Sequence, residues 1–378
     1  MVRSVRERHL RVKSALGLAL TLLLLAPATA LAQAGSADVA RMPDGRPDLS
    51  GTYDAATLTP LQRPPELGDR LTLTEEEAAE IAEQMRRRRE LDNRPTAPDR
   101  EAPPEGGVDE TLGGFEASGA AGRVGGYNNF WVDPGDGAFK IDGKWRTSII
   151  VDPENGRYPP RVERADRGAR AGRALRRPND GSAYWLESDG PGPYDDPESL
   201  GAAERCLLGF TGAAPTFPSL YNNFKRIVQT GDHVMILIEM VHDARIVRLS
   251  SEHPPPDQRF WLGDSIGWWE GDTLVVDTTN FHPSGAVRGG SENLHLVERF
   301  TKLADGDVVY RFTVDDPTVW TAPWTGEYLW RASDEQVYEY SCHEGNYAME
   351  GILKGARLLE QEWMESNGAK KGSTDSGD

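Results

Sequence analysis

Five side chains in the C-terminal half have the chemistry to move a proton: His242 and Asp243 within Ile238-Glu-Met-Val-His-Asp-Ala-Arg245, Glu298 within Leu294–Phe300, and His343 and Glu344 directly after Cys342. Imidazole titrates near neutral pH and a neighbouring carboxylate can orient it, so these pairings suit metal-independent acid–base catalysis. Strand alternation would put Glu239, Val241, Asp243 and Arg245 on one face and Ile238, Met240, His242, Ala244 and Ile246 on the other. The second set is more apolar, which makes His242 the histidine expected in a cavity or core. Glu298 shares its face with Leu294, Leu296 and Phe300, while His295 and Arg299 take the opposite one. A carboxylate on an apolar face must be paired or hold a raised pKa, so an ion pair is expected there, with a general acid as the competing role.

The densest polar run is Ser341-Cys-His-Glu-Gly-Asn-Tyr347, which adds Asn346 and Tyr347 to the residues that could meet a ligand. Glu239, Arg245, Trp269, His295, Trp324 and Tyr340 complete that set, because aromatic and charged side chains from neighbouring strands can line one pocket. His242, His295 and His343 come from separate segments; the three, or two of them with Glu239, are the minority reading of a zinc or iron site, but no His-x-His or His-x-x-x-His pair is present, so neither a metal nor another cofactor is expected. Gly263-Asp-Ser-Ile-Gly267 has the Gly-x-Ser-x-Gly spacing but runs into the Trp268 hairpin and not from a strand into a helix, so it is no nucleophile elbow, and there is no Walker loop or dinucleotide fingerprint.

The elements that must position these groups are strands. Phe224–Gln229, His233–Leu249, the hairpin through Glu270-Gly-Asp272 into Thr273–Thr279, and a second hairpin turning at Asp305-Gly306 all alternate apolar with polar residues between turn signals. Gly326–Arg331 and Gln336–Cys342 read as a third hairpin. Successive hairpins are closed most economically as a mainly β, antiparallel up-and-down meander. The expected form is a lipocalin-like barrel or strongly curved sheet with an internal cavity, one N-terminal helix and long loops. The helix is predicted over about residues 75–91, where Thr74 and Glu77 form a capping box and Arg86 to Arg89 sit at the negative end.

Basic residues from Arg3 to Lys13, an apolar run from Ala15 to Leu25 and Ala30-Leu-Ala32 read as a signal peptide over 1–32. An extended segment, the helix and a Pro/Gly-rich linker follow over 33–126, then a β-rich main domain over 127–360 and a polar tail over 361–378. The expected location is periplasmic or secreted, with no stable membrane insertion after cleavage. Losing the leader moves the formal charge from −18 to about −22, which disfavours nucleic acid as a partner, because phosphate binding needs a basic footprint. The only cysteines, Cys206 and Cys342, flank the strand-rich region and read either as a disulfide or as two buried thiols.

Glu204-Arg-Cys-Leu207, Glu239-Met-Val-His-Asp-Ala-Arg245, Trp269-Glu-Gly-Asp-Thr-Leu-Val-Val-Asp-Thr-Thr-Asn280, Ser291-Glu-Asn-Leu-His-Leu-Val-Glu-Arg299 and Tyr338–Tyr347 resemble the recurring phrases of a large group of exported bacterial proteins. That resemblance spans nearly the whole mature chain and implies no activity. From Leu294 onward the hairpins are similar in style to lipocalin-like and nitrobindin-like barrels, which implies a cavity but not its contents. Two functions follow as expectations. One is binding of a small, partly apolar or aromatic ligand in that cavity. The other is an isomerase, lyase or hydrolase using the same cavity, with a small-molecule partner in either case.

Overall fold

The computed structural model describes residues 39–92, 132–165, 181–187, 191–210, 212, 214–283 and 290–374. The expected signal peptide over 1–32 and the linker from residue 93 to 126 lie outside the described residues. In chain order the elements are β1 (Gly51–Asp54), β2 (Thr72–Leu73), α1 (Glu75–Asp92), β3 (Lys140–Ile141), β4 (Lys144–Arg146), β5 (Ile150–Asp152), β6 (Phe224–Gln229), β7 (His233–Ile238) and β8 (Ala244–Leu249). They continue with β9 (Asp264–Glu270), β10 (Thr273–Thr279), β11 (His295–Lys302), β12 (Val308–Asp315), β13 (Trp324–Ser333) and α2 (Tyr347–Thr374).

Strands β6 to β13 pair in sequence order, and β1 closes the ring by pairing with both β6 and β13. The result is a closed, nine-stranded barrel, with β5 added outside the ring against β13. Closure leaves no long unpaired edge to recruit another chain. Hairpins β9–β10 and β11–β12 form where their Gly-Asp and Asp-Gly turns place them, with Gly271 and Gly306 at positive φ. The capping box of α1 is reciprocal: Glu77 N donates to Thr74 Oγ1 at 3.2 Å and Thr74 N to Glu77 Oε2 at 2.8 Å.

Three features depart from the simple meander. First, β8 and β9 are parallel, joined by a crossover over residues 250–263 that contains Pro254, Pro255 and Pro256. Three consecutive residues without an N–H cannot build a tight antiparallel return, so the chain travels back along the barrel before pairing again. Second, the hairpin expected from Gln336 to Cys342 is absent: these residues form no strand, because the second edge of β13 is already taken by β1 and β5. Third, the C-terminal residues are helical through Thr374. Ala356, Leu359 and Trp363, spaced three and four apart, pack on Ala183, Tyr184, Trp185 and Leu186, and Trp185 Nε1 donates to Glu360 at 2.7 Å.

Inside the barrel, period-two alternation turns Leu296, Glu298 and Phe300 of β11, Val308, Tyr310, Phe312 and Val314 of β12, and Trp324, Tyr328 and Trp330 of β13 inward, all essentially fully buried. The rings pack against one another, with Tyr310 4.8 Å from Trp330 and 5.0 Å from Phe300 between centroids. The Phe312 ring lies where a side chain at position 326 would be, which accounts for Gly326 in the middle of β13. Glu298, the acid on the apolar face, is met by Arg245 from β8. The guanidinium donates from Nη2 to Oε1 at 2.8 Å, from Nη1 to Oε2, and from Nη1 to Thr278 Oγ1 at 3.2 Å. Tyr310 donates its hydroxyl to the same carboxylate at 2.6 Å. Burial, and then the negative charge of Glu298, hold that phenol well above its ordinary pKa.

Removing one member of this pair strands the other as a buried charge. Glu298→Leu is expected to lower unfolding free energy in urea by about 3–5 kcal/mol, whereas the double replacement Arg245→Met with Glu298→Leu recovers most of that loss. Equal stability of the single and double variants would show that the pair is not coupled.

Candidate functional site

Strands β7 and β8 are joined by a five-residue turn, Glu239–Asp243, and the polar groups that the sequence singles out in this region gather around it. Ile238 N donates to Asp243 O at 2.8 Å and His242 N to Glu239 O at 3.2 Å, which folds the turn tightly. Val241 (φ 58) and His242 (φ 47) both take the left-handed conformation. This is costly for any L-residue and more so for β-branched Val, so the surrounding packing holds the turn in a strained state. Val241, Asp243 and Arg245 do share a face opposite His242, Ala244 and Ile246, but the turn separates the latter set from the buried Ile238 and Met240 and leaves it outside. His242 is exposed on the turn rather than held in a core, Arg245 and Val247 point inward, and Ala244 and Ile246 point outward.

Around the turn, three ionisable groups sit in low-dielectric surroundings. Glu239 is buried and accepts a hydrogen bond from Phe224 N at 3.1 Å; burial nevertheless pushes its carboxyl up. Asp243 accepts from Gly209 N at 2.9 Å, and burial raises it to about 6. Lys225, on the inward face of β6, is fully buried and has no hydrogen-bond partner among the described residues. Burial brings its ammonium down to about 8, against the opposing pull of Glu239, Asp54 and Asp243.

On the outer side of the same turn lies a groove of about 750 Å³ between the wall formed by β1, β6 and β7 and the chain leaving β13. Thr52, Arg226, Leu237, Glu239, His242 and Tyr338 line it, with further carboxylates from Asp334, Glu335 and Glu339. Glu239 and His242 are thus the two sequence-derived candidates that the structure brings to one surface.

The remaining candidates do not join them. Glu298 and Arg245 are spent on each other in the core, and Trp324 is buried there among Tyr158, Phe312 and Trp320. Trp269 and Tyr340 pack partly buried against the core. The disulfide Cys206–Cys342 forms, with 5.7 Å between Cα atoms across a separation of 136 residues. It anchors the bend carrying His343 and Glu344, which are exposed, and Tyr347, which is 81% exposed. Asn346 Nδ2 donates to Glu204 O at 2.8 Å, so that residue ties the bend down. Among the described residues no three His, Cys, Asp or Glu side chains are grouped as a metal would require.

His295 belongs to a second cluster, on the outer wall, that sequence reasoning missed. It contacts Asp277 Oδ2 through Nε2 at 2.7 Å. Asp277 Oδ1 in turn contacts His253 Nε2 at 2.9 Å, and His253 Nδ1 contacts Asp264 at 2.7 Å. Arg248 closes the chain with two bonds to Asp264, at 2.6 and 2.9 Å. The row crosses β8, β9, β10 and β11, and His253 reaches it from the proline-containing crossover. Alternation does place Asp277 and Asp264 on outward faces, but only the path of the crossover puts His253 between them. A signal for Lys225 was present in the sequence: it shares the face of Ile227 and Gln229 in β6, a lysine where a half-buried strand wants an apolar residue.

No family model matches the chain, and a search of curated proteins finds no match either.

The hydrogen bond to Asp277, partly opposed by burial, raises the His295 pKa above the ordinary 6.5. The stabilisation from this contact is therefore complete below the unfolded value and is lost as pH rises through the folded one. An NMR titration should put the His295 midpoint above 6.5, and Asp277→Asn should move it back down. A midpoint unmoved by that replacement would remove Asp277 as the cause.

Proposed function

We propose that this protein is an exported barrel that binds a small, partly apolar or aromatic ligand carrying a positive charge, held in the groove beside the β7–β8 turn. The observation that carries this reading is the groove itself, whose volume of about 750 Å³ matches a small-molecule site. Its walls combine Leu237 and Tyr338 with the carboxylates of Glu239, Glu335 and Glu339. An aromatic or alkyl body can lie on the apolar strip and against the Tyr338 ring, while an ammonium group gains from the carboxylates and from the ring face. Packed aromatic side chains such as Phe300, Tyr310 and Trp330 already occupy the lumen, which favours the outer groove over an internal cavity as the ligand's place. Export draws support from the Cys206–Cys342 disulfide, which persists in oxidising compartments, and from the leader-like N-terminus. Catalysis by His242, Glu298 and His343 together has no such support, because the three stand on a surface turn, in a core ion pair and on an exposed bend.

Calorimetric titration of the mature chain with phenethylamine, and with 3-phenylpropionate as its charge-reversed counterpart, tests the reading. The amine should bind and the acid should not. Tyr338→Ala and the double variant Glu335→Gln with Glu339→Gln should each weaken the amine by about tenfold, or roughly 1.4 kcal/mol. Equal binding of both probes, or amine binding that ignores these replacements, would defeat the proposal.

A further inference from the structure

The groove that suits a positively charged ligand also holds a cation of its own. Arg226 is exposed on the outer face of β6, in a row that crosses the barrel wall. Its register partners are Thr52 of β1 on one side and Leu237 of β7 on the other, and all three line the groove. Glu239, Asp334, Glu335 and Glu339 line it as well. Opposite charges that share a groove ordinarily pair, yet among the described residues the Arg226 guanidinium stands in no ion pair with any of them. Its contact is a single long hydrogen bond, from Nη1 to Thr52 Oγ1 at 3.4 Å. A guanidinium presents its N–H donors as a rigid planar fork, so most of this one is left for a ligand.

The strand itself keeps the two poles apart. Glu239 is fixed beside Phe224, whose N–H it accepts at 3.1 Å, and Phe224 lies two residues from Arg226 on the same face of β6. Two steps along a strand separate these anchor points by about 7 Å. Such a gap is spanned by a ligand whose own opposite charges are neighbours, with its ammonium against the carboxylate and its carboxylate against the guanidinium. Leu237, directly opposite Arg226, and the exposed ring of Tyr338 supply the apolar surface for the rest of that ligand.

We propose that the groove selects the zwitterion of an α-amino acid with an aromatic or large apolar side chain, its carboxylate gripped by Arg226 and its ammonium by Glu239, Glu335 and Glu339. The inference rests on the groove being a ligand site, and adds that tight binding requires an anionic group beside the cationic one. A carboxylate meets a guanidinium through two parallel N–H···O bonds, which gives direction as well as strength. Neither charge is well served alone. A simple amine faces the like charge of Arg226, and a simple acid faces the groove's carboxylates, so the residues that attract the zwitterion also reject its fragments.

L-phenylalanine joins the ammonium of phenethylamine and the carboxylate of 3-phenylpropionate on one body, so the three compounds isolate the two charges. Calorimetric titration of the mature chain should give L-phenylalanine binding at least about tenfold tighter than phenethylamine, as a bidentate charge-assisted contact provides. Arg226→Met should cancel that advantage: L-phenylalanine falls about tenfold while phenethylamine, rid of a like charge, gains. Arg226→Lys, which keeps the charge without the fork, should retain part of the advantage. Arg226 is exposed, and circular dichroism of both variants should match the unaltered chain. If phenethylamine binds and L-phenylalanine binds no tighter, or if the advantage survives Arg226→Met, the inference is overturned while the groove reading stands. If neither compound binds, the groove reading itself fails and takes the inference with it.

Discussion

A four-residue strand carries the architecture. β1 holds β6 through four register pairs on one side and β13 through three on the other, and without it the barrel would be an open sheet with two exposed edges. Side chains reinforce that short seam. Arg331 of β13 donates to Asp54 at 2.8 Å and to the carbonyl of Ala56, and Tyr53 sends its hydroxyl to Leu49 O at 2.6 Å. Everything inside follows from closure. The curvature of the wall lets Arg245 of β8 meet Glu298 of β11 on the inner side, and the β1–β13 pairing sets Tyr53 6.3 Å from Trp330 between ring centroids.

A closed interior makes each polar group inside it consequential. The Arg245–Glu298 pair is affordable because its hydrogen bonds are nearly complete, with Tyr310 and Thr278 taking up further capacity. Lys225 is the contrast: it is equally buried, yet among the described residues no acceptor is aligned with its amine. A well-bonded ion pair and an ammonium without an aligned acceptor mark two differently held parts of the barrel. The strained residues Val241 and His242 lie at the second part, consistent with strain being kept where a structure needs a specific arrangement rather than maximum stability.

Outside the ring, two long-range ties hold the excursions of the chain. The row from Arg248 to His295 fastens the β8–β9 crossover to the wall through His253. The Cys206–Cys342 bond fastens the segment that leaves β13 to the segment that precedes β6. In the chain-entropy picture a loop of this length contributes about 4–5 kcal/mol, the scale of the loss expected when one partner of the core ion pair is removed and the other is left stranded. The position of the disulfide next to the 333–339 stretch keeps that wall of the groove in place.

By itself the sequence determined β6, the hairpins β9–β10 and β11–β12 with their turns at Gly271 and Gly306, the capping box of α1 and the appearance of Glu298 on an apolar face, whereas the run His233–Leu249, read as one strand, is divided by the Glu239–Asp243 turn into β7 and β8. These rest on a period of two and on contacts within a few residues, and such signals survive without knowledge of the rest of the chain. Only the tertiary structure decided that Arg245 and not His242 faces inward, because a turn with two left-handed residues resets the alternation. It alone set His253 between Asp264 and Asp277, and it denied the last expected hairpin a free edge on β13. Those outcomes depend on which distant segment arrives first at a given edge or charge. The succession of hairpins did foretell a barrel, but which strand closes it, the path of the proline crossover and the pairing of Cys206 with Cys342 are meetings of distant segments that no local pattern of residues encodes.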